Sequence, residues 1–349
     1  MGKANSSIIL IKAVSQNPRR EMMKEKFKWF VLLMVLFFLG SLAFVQAEEK
    51  EMKPEVKAAI EKLESEDRGE RRKAAETLGR LRDKASLSAL IEALQDEDFG
   101  VRVNAADALG NLRDKSATTA LIEALKDEHD GVRISVVVAL GYIRDKESVL
   151  PLIESLTEDE NEGVRISAAQ VLGNLRDRRA TPVLLEALKD AKRRIRATAA
   201  RSLGRLGDPE AGEALIEALK DEEVRVRLYA SESLGNLRVA SAIEPLKELL
   251  EDEDARTRCA TASALGKLND KSGLDVALKE MENEDIRIRT EALRALGYIG
   301  ETTEPVVNGI KKALKDKNRS VRRVAEMVAN QLRIEIKIEE EEKPESDQR

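Results

Sequence analysis

The sequence predicts an all-α protein, a right-handed α–α superhelical solenoid of about nine two-helix repeats. Three observations carry this. A Leu-Gly pair or its equivalent recurs at Gly79, Gly110, Gly141, Gly173, Gly204, Gly235, Gly266 and Gly297, at intervals of 31, 31, 32, 31, 31, 31 and 31 residues. The apolar residues between these glycines follow helical spacing. Aromatic residues make up only 3% of the 349, so the interior is expected to be Leu, Ile, Val and Ala on packed helices.

Residues 1–47 read as an address. Lys24, Lys26 and Lys28 precede the apolar run Trp29 to Leu39, and small residues then lead to the acidic start at Glu48. That is the order of a secretory signal, with cleavage expected after Ala47. Met22 or Met23 is an alternative start. The other reading of the segment is an uncleaved anchor, which gives an N-terminal membrane association and still places the body outside the cytoplasm. Residues 48–54 read as a linker, 55–333 as the solenoid, and 334–349 as a C-terminal cap followed by a disordered acidic tail.

Each repeat reads as a first helix of LIEAL type, an acidic turn, and a second helix of VRxxAAxxLGxL type. Leu121 to Leu125 and Val101 to Leu112 are examples. Pro151, Pro182, Pro245 and Pro305 fall near the starts of first helices, where a missing N–H costs little. Acidic turn residues are placed to cap the second helices. On a helical wheel the alanines and leucines of Val101 to Leu112 share one packed arc, and the opposite arc is variable and mostly polar. Glycine within a helix costs about 1 kcal/mol relative to alanine, so its recurrence calls for close helix approach.

This repeat resembles the HEAT family, more narrowly the phycobilisome-lyase-type HEAT-like repeats within the armadillo-type folds. The resemblance covers residues 55–333. It implies two sets of functional positions. The first is a structural ladder between repeats. Its arginines are Arg71, Arg102, Arg133, Arg165, Arg196, Arg227, Arg258, Arg289 and Arg322, and its acids are Asp96, Asp127, Asp190, Asp221, Asp252 and Asp316. The competing reading of the arginines is an anion-binding row.

The second set is a partner-binding surface, because second helices line the concave side of HEAT arrays. Here that side carries Asn104, Asp107 and Asn111, then Ser135, Val138 and Tyr142, then Gln170 and Asn174. It continues with Arg201 and Arg205, then Tyr229, Glu232 and Asn236, then Arg294 and Tyr298. Tyrosine and arginine are enriched where proteins bind proteins.

Composition excludes much chemistry. One histidine, His129, and one cysteine, Cys259, leave no disulfide within the chain and no Cys- or His-rich metal centre. The several His-Glu metal ligands of deoxyhypusine hydroxylase, a HEAT-like enzyme, have no counterpart. His129 is expected to be a solvated turn residue, and Cys259 an inert thiol on the variable face. Beyond residue 47 the chain has 53 basic and 63 acidic residues, a net of −10, which argues against nucleic acid. One basic cluster stands out: Arg176, Arg178, Arg179, Lys192, Arg193, Arg194, Arg201 and Arg205. The reading is therefore a monomeric extracytoplasmic scaffold or adaptor that binds protein. It is expected to be no enzyme and to carry no cofactor and no metal. The alternatives are a lyase-like or chaperone-like factor for a cofactor-bearing protein, and a binder of anionic envelope polymers.

Overall fold

The computed structural model describes residues 52–335, and the chain divides into two compact units, 1–58 and 59–349. The signal-like segment, most of the linker and the acidic tail lie outside the described residues. Of the first unit only 52–58 is described, and it turns helical at Pro54, the first residue of α1 (Pro54–Lys62).

The second unit is an α solenoid. Its remaining helices alternate short and long: α2 (Arg68–Leu81), α3 (Leu87–Glu92), α4 (Phe99–Leu112), α5 (Thr118–Ala124), α6 (Asp130–Ile143), α7 (Val149–Glu158), α8 (Glu162–Leu175) and α9 (Thr181–Ala187). They continue as α10 (Arg193–Leu206), α11 (Gly212–Ala218), α12 (Val224–Leu237), α13 (Ile243–Glu248), α14 (Ala255–Lys267), α15 (Leu274–Glu280), α16 (Ile286–Ile299), α17 (Glu304–Ala313) and α18 (Arg319–Gln331). No strand occurs among the described residues, and no helix there is long and apolar enough to cross a membrane.

Local chemistry sets these boundaries. Asp67, Asp98, Asn161, Asp254, Asp285 and Asn318 sit in extended backbone just before even-numbered helices, and each side chain accepts a first-turn N–H. Such a cap contributes about 1 kcal/mol. Helices α2, α4, α6, α8 and α12 end on an arginine in the left-handed region, as at Arg113 with φ 54°. After the first four of these an aspartate restarts the chain: Asp114 accepts the Ser116 N–H at 3.1 Å and opens a 3-10 turn into α5. The Arg-Asp dipeptide thus closes one helix and opens the next.

The core is a double row of leucines. Leu109, Leu140, Leu172, Leu203 and Leu234 from the long helices meet Leu90, Leu121, Leu152, Leu184 and Leu215 from the short ones, all fully buried. Each contributes about 1.5–3 kcal/mol against exposure. Even-numbered helices pack on one another along their length, while successive odd-numbered helices touch sparsely. The repeating glycine permits the close layer. A methyl at Gly110 would lie 2.8 Å from the Ala139 Cα, and one at Gly235 would lie 2.7 Å from the Ala264 Cα.

Candidate functional site

Two surfaces follow from this repeat, and their electrostatics differ. The first is the seam between repeats. Arg102 donates through Nε to Asp127 Oδ2 at 2.7 Å and through Nη2 to Asp127 Oδ1 at 2.9 Å. Its Nη1 reaches back to the carbonyls of Asp96 at 2.9 Å and Glu97 at 3.2 Å. Each arginine therefore ties its own turn to the acid of the following turn. The unit repeats at Arg71–Asp96, Arg196–Asp221, Arg227–Asp252 and Arg289–Asp316.

Two rungs use acids that the sequence reading left out: Arg133 pairs with Asp159 at 2.8 Å, and Arg258 pairs with Glu280. Arg165 bonds Asp190 and also donates to the Leu156 carbonyl at 2.9 Å. Arg322, in the last repeat, reaches only the carbonyls of Asp316 and Lys317 among the described residues. The hydrogen bonds that Arg102 donates to Asp127 raise the pKa of Arg102. Burial works to raise Asp127, but the Arg102 and His129 N–H bonds outweigh it and hold the carboxyl below its usual range. From Arg71 to Arg289 each guanidinium of the row is thus held by an acid of the chain itself.

His129 keeps its place in the turn, whereas Cys259 does not keep the face that the sequence suggests. His129 is not simply solvated. It is the N-cap of α6, its Nδ1 accepting the Gly131 N–H at 3.1 Å, and its ring stacks on Phe99 with centroids 4.0 Å apart. Cys259 is fully buried rather than on the variable face. Its position points at the next long helix, and Sγ lies 4.0 Å from the Ile288 carbonyl. Burial pushes its thiol up to about 12.

The second surface is the open face of the even-numbered helices. In its N-terminal part Asn104 donates to the Arg72 carbonyl at 3.0 Å, Tyr142 is 51% exposed, and Asp107, Asn111, Ser135, Val138 and Gln170 present a largely uncharged face. The C-terminal part is charged and forms two depressions. One, of about 410 Å³, is lined by Gln170, Arg193, Arg194, Arg201, Arg205, Arg225 and Tyr229. The other, of about 440 Å³, is lined by Glu232, Asn236, Arg256, Lys267, Arg287, Glu291, Arg294 and Tyr298.

Cations stack on the tyrosines: the Arg201 guanidinium lies 5.2 Å from the Tyr229 centroid, and Lys267 Nζ lies 4.6 Å from that of Tyr298. Arg205 donates to Asn174 Oδ1 at 3.1 Å, Lys267 donates to Asn236 Oδ1 at 2.8 Å, and Arg294 bonds Glu291. The basic cluster is divided. Arg176, Arg178 and Arg179 do not line the depression, and Arg179 instead holds Asp177 down to about 2.

On this face charge is held at a cost. Burial raises Asp107 and Glu232, and it lowers Lys267. Desolvation, with the like charge of Arg201, lowers Arg205. All four are pushed toward neutrality, opposite to Arg102 and Asp127 in the ladder. Lys267 and Glu291 were missed in the sequence, although both occupy wheel positions already assigned to this face. Arg225, Arg256 and Arg287 were missed because they sit at helix starts.

The repeats match the family model for HEAT repeats over residues 56–141, 119–195, 149–230, 212–279 and 246–330. The chain belongs to the HEAT-repeat family. No curated protein matches it. Among solved structures it is similar to Escherichia coli YibA, at 19% identity and a TM-score of 0.52 over 74% of this chain and 96% of that one. It also matches the CpcE–CpcF complex of phycocyanin lyase from Nostoc sp. PCC7120, at 27% identity, TM-score 0.41, covering 70% and 93%. Human deoxyhypusine hydroxylase matches at 21% identity, TM-score 0.34, covering 74% and 99%. The likeness to YibA shows the fold alone.

Proposed function

We propose that the protein is a non-enzymatic scaffold or adaptor that holds a protein partner on the face of its even-numbered helices and acts outside the cytoplasm. The observation that carries the binding reading is the pair of depressions on that face, where arginines and tyrosines stand together. On the same face burial pushes Asp107, Arg205, Glu232 and Lys267 toward their neutral forms. Displaced titrations of this kind gather at functional sites. The arginines and tyrosines of the two depressions add the side chains that dominate protein interfaces. Capture from cell envelopes with the wild-type chain and with the R201E/R205E double variant tests it. Loss of captured protein supports the face as the binding surface, and unchanged capture contradicts it.

The location rests on the order of basic, apolar and small residues from Lys24 to Ala47. Fractionation and intact mass test it. An exported product starting at Glu48 supports cleavage, whereas a full-length cytoplasmic product contradicts the location and favours a lyase-like role inside the cell.

A further inference from the structure

The second residue of each even-numbered helix changes partway along the array. It is Gly69, Gly100, Gly131 and Gly163 in α2, α4, α6 and α8, and then Arg194, Arg225, Arg256 and Arg287 in α10, α12, α14 and α16. A helix start disfavours cations, because its free N–H groups carry partial positive charge. Four arginines in succession at that position therefore run against local stability. The caps point the same way. The residues before α10 and α12 are Lys192 and Glu223, and neither supplies the side-chain cap seen before the neighbouring helices.

All four arginines line the two depressions. Among the described residues, the Arg225 and Arg287 guanidiniums pair with no carboxylate. Arg194 reaches the half-buried Glu162 at 3.4 Å, and Arg256 folds back on its own cap, Asp254. Two of the four, Arg225 and Arg287, are thus planar donors without a carboxylate among the described residues, and Arg194 is held only weakly, which suits carboxylate recognition.

We propose that this row binds an extended acidic segment of a partner polypeptide, with one carboxylate for each arginine at every third residue. The proposal rests on the protein-binding reading above and names the partner's chemistry. The spacing argues for it. Closely packed helices lie about 8–10 Å apart, and three residues of polyproline-II backbone advance about 9 Å. Same-face residues of a strand advance less than 7 Å and fall out of step. The neighbours of the row argue for a polypeptide over a uniform polyanion. Glu223, Glu232 and Glu291 lie among the cations, and Tyr229 and Tyr298 offer apolar faces. A polypeptide can place basic or apolar residues against these, whereas a polymer charged at every unit meets the carboxylates.

The test uses the full chain and two fluorescent peptides of identical composition. One has glutamate at every third position with proline and alanine between; the other has the glutamates in one block. Anisotropy is expected to show the spaced peptide binding about tenfold tighter, weakening with salt. Arg225→Gln and Arg287→Gln remove exposed guanidiniums without breaking an ion pair, and each is expected to cost about threefold. Equal binding of the two peptides, or no response to either variant, overturns the proposal. Displacement of the peptide by dextran sulfate at far lower concentration than by free spaced peptide also overturns it, in favour of an anionic polymer. If neither peptide binds while R201E/R205E still abolishes envelope capture, the acidic-segment proposal falls and the scaffold reading stands.

Discussion

Arg102 and Asp127 face each other across the seam between consecutive repeats, Nε to Oδ2 at 2.7 Å, with side chains only 9% and 10% exposed. One guanidinium thereby closes its own turn and clamps the next. Arg102→Ala is expected to cost about 2–3 kcal/mol, because it strands Asp127 and frees two turn carbonyls. Urea unfolding of R102A, D127A and the double variant measures this. The double variant is expected to fall well short of the sum, as coupled partners do.

Acid should loosen the seam. Asp98 accepts from Arg72 at 2.6 and 2.7 Å, and its carboxyl is held down to about 2 against an ordinary 3.8. A depressed folded value means its contribution is complete above the unfolded value and is lost as pH falls from 3.8 through about 2. Unfolding midpoints taken across that range should decline for the wild type and decline less for Asp98→Asn.

The open face should behave in the opposite way. Glu232 is raised by burial; Glu291 adds to this, while Arg201, Lys267 and Arg205 oppose it. A carboxyl weaker in the folded state than in the unfolded state destabilises the fold wherever it is ionised in both. Glu232→Gln is therefore expected to raise the thermal midpoint at neutral pH, and an unchanged or lower midpoint would refute the assignment.

Two glycines of the same motif should part company. A methyl at Gly235 meets Ala264 Cα at 2.7 Å and Cβ at 2.9 Å, so Gly235→Ala is expected to destabilise, with overpacking of about 1–3 kcal/mol exceeding the helix-propensity gain. At Gly297 the nearest atom is Gln331 Oε1 at 3.2 Å, the end of a flexible side chain, and Gly297→Ala should be neutral or mildly stabilising. Paired thermal melts compare them.

Cys259 should resist labelling. Fully buried, with its thiol pushed up to about 12, it is expected to react with a maleimide only on the unfolding timescale, and at once in denaturant.

The repeat and its ladder arginines were legible because each recurs in phase and has one physical reason for doing so. The forward partners were harder to read. Asp159 stands six residues before Arg165, as Asp127 stands before Arg133, but it follows the longer helix α7, and Glu280 serves its rung because Asn283 occupies the turn position where an acid stands elsewhere. Cys259 misled because a wheel reports the exposure of one helix alone. In the stack its thiol faces the following helix, Sγ lying against the Ile288 carbonyl, and the equivalent Ala197 and Thr290 are buried too. The Gly-to-Arg switch was present in the sequence, at a helix end to which a wheel assigns no face.

The most direct test of the central claim is site-specific photo-crosslinking in intact cells. A photoreactive phenylalanine replaces Tyr229 or Tyr298 on the open face, or Leu150, a 60% exposed residue of the short helix α7. A discrete crosslinked protein is expected from Tyr229 and Tyr298 and none from Leu150. Crosslinks from Leu150 alone, or from none of the three, would contradict that claim.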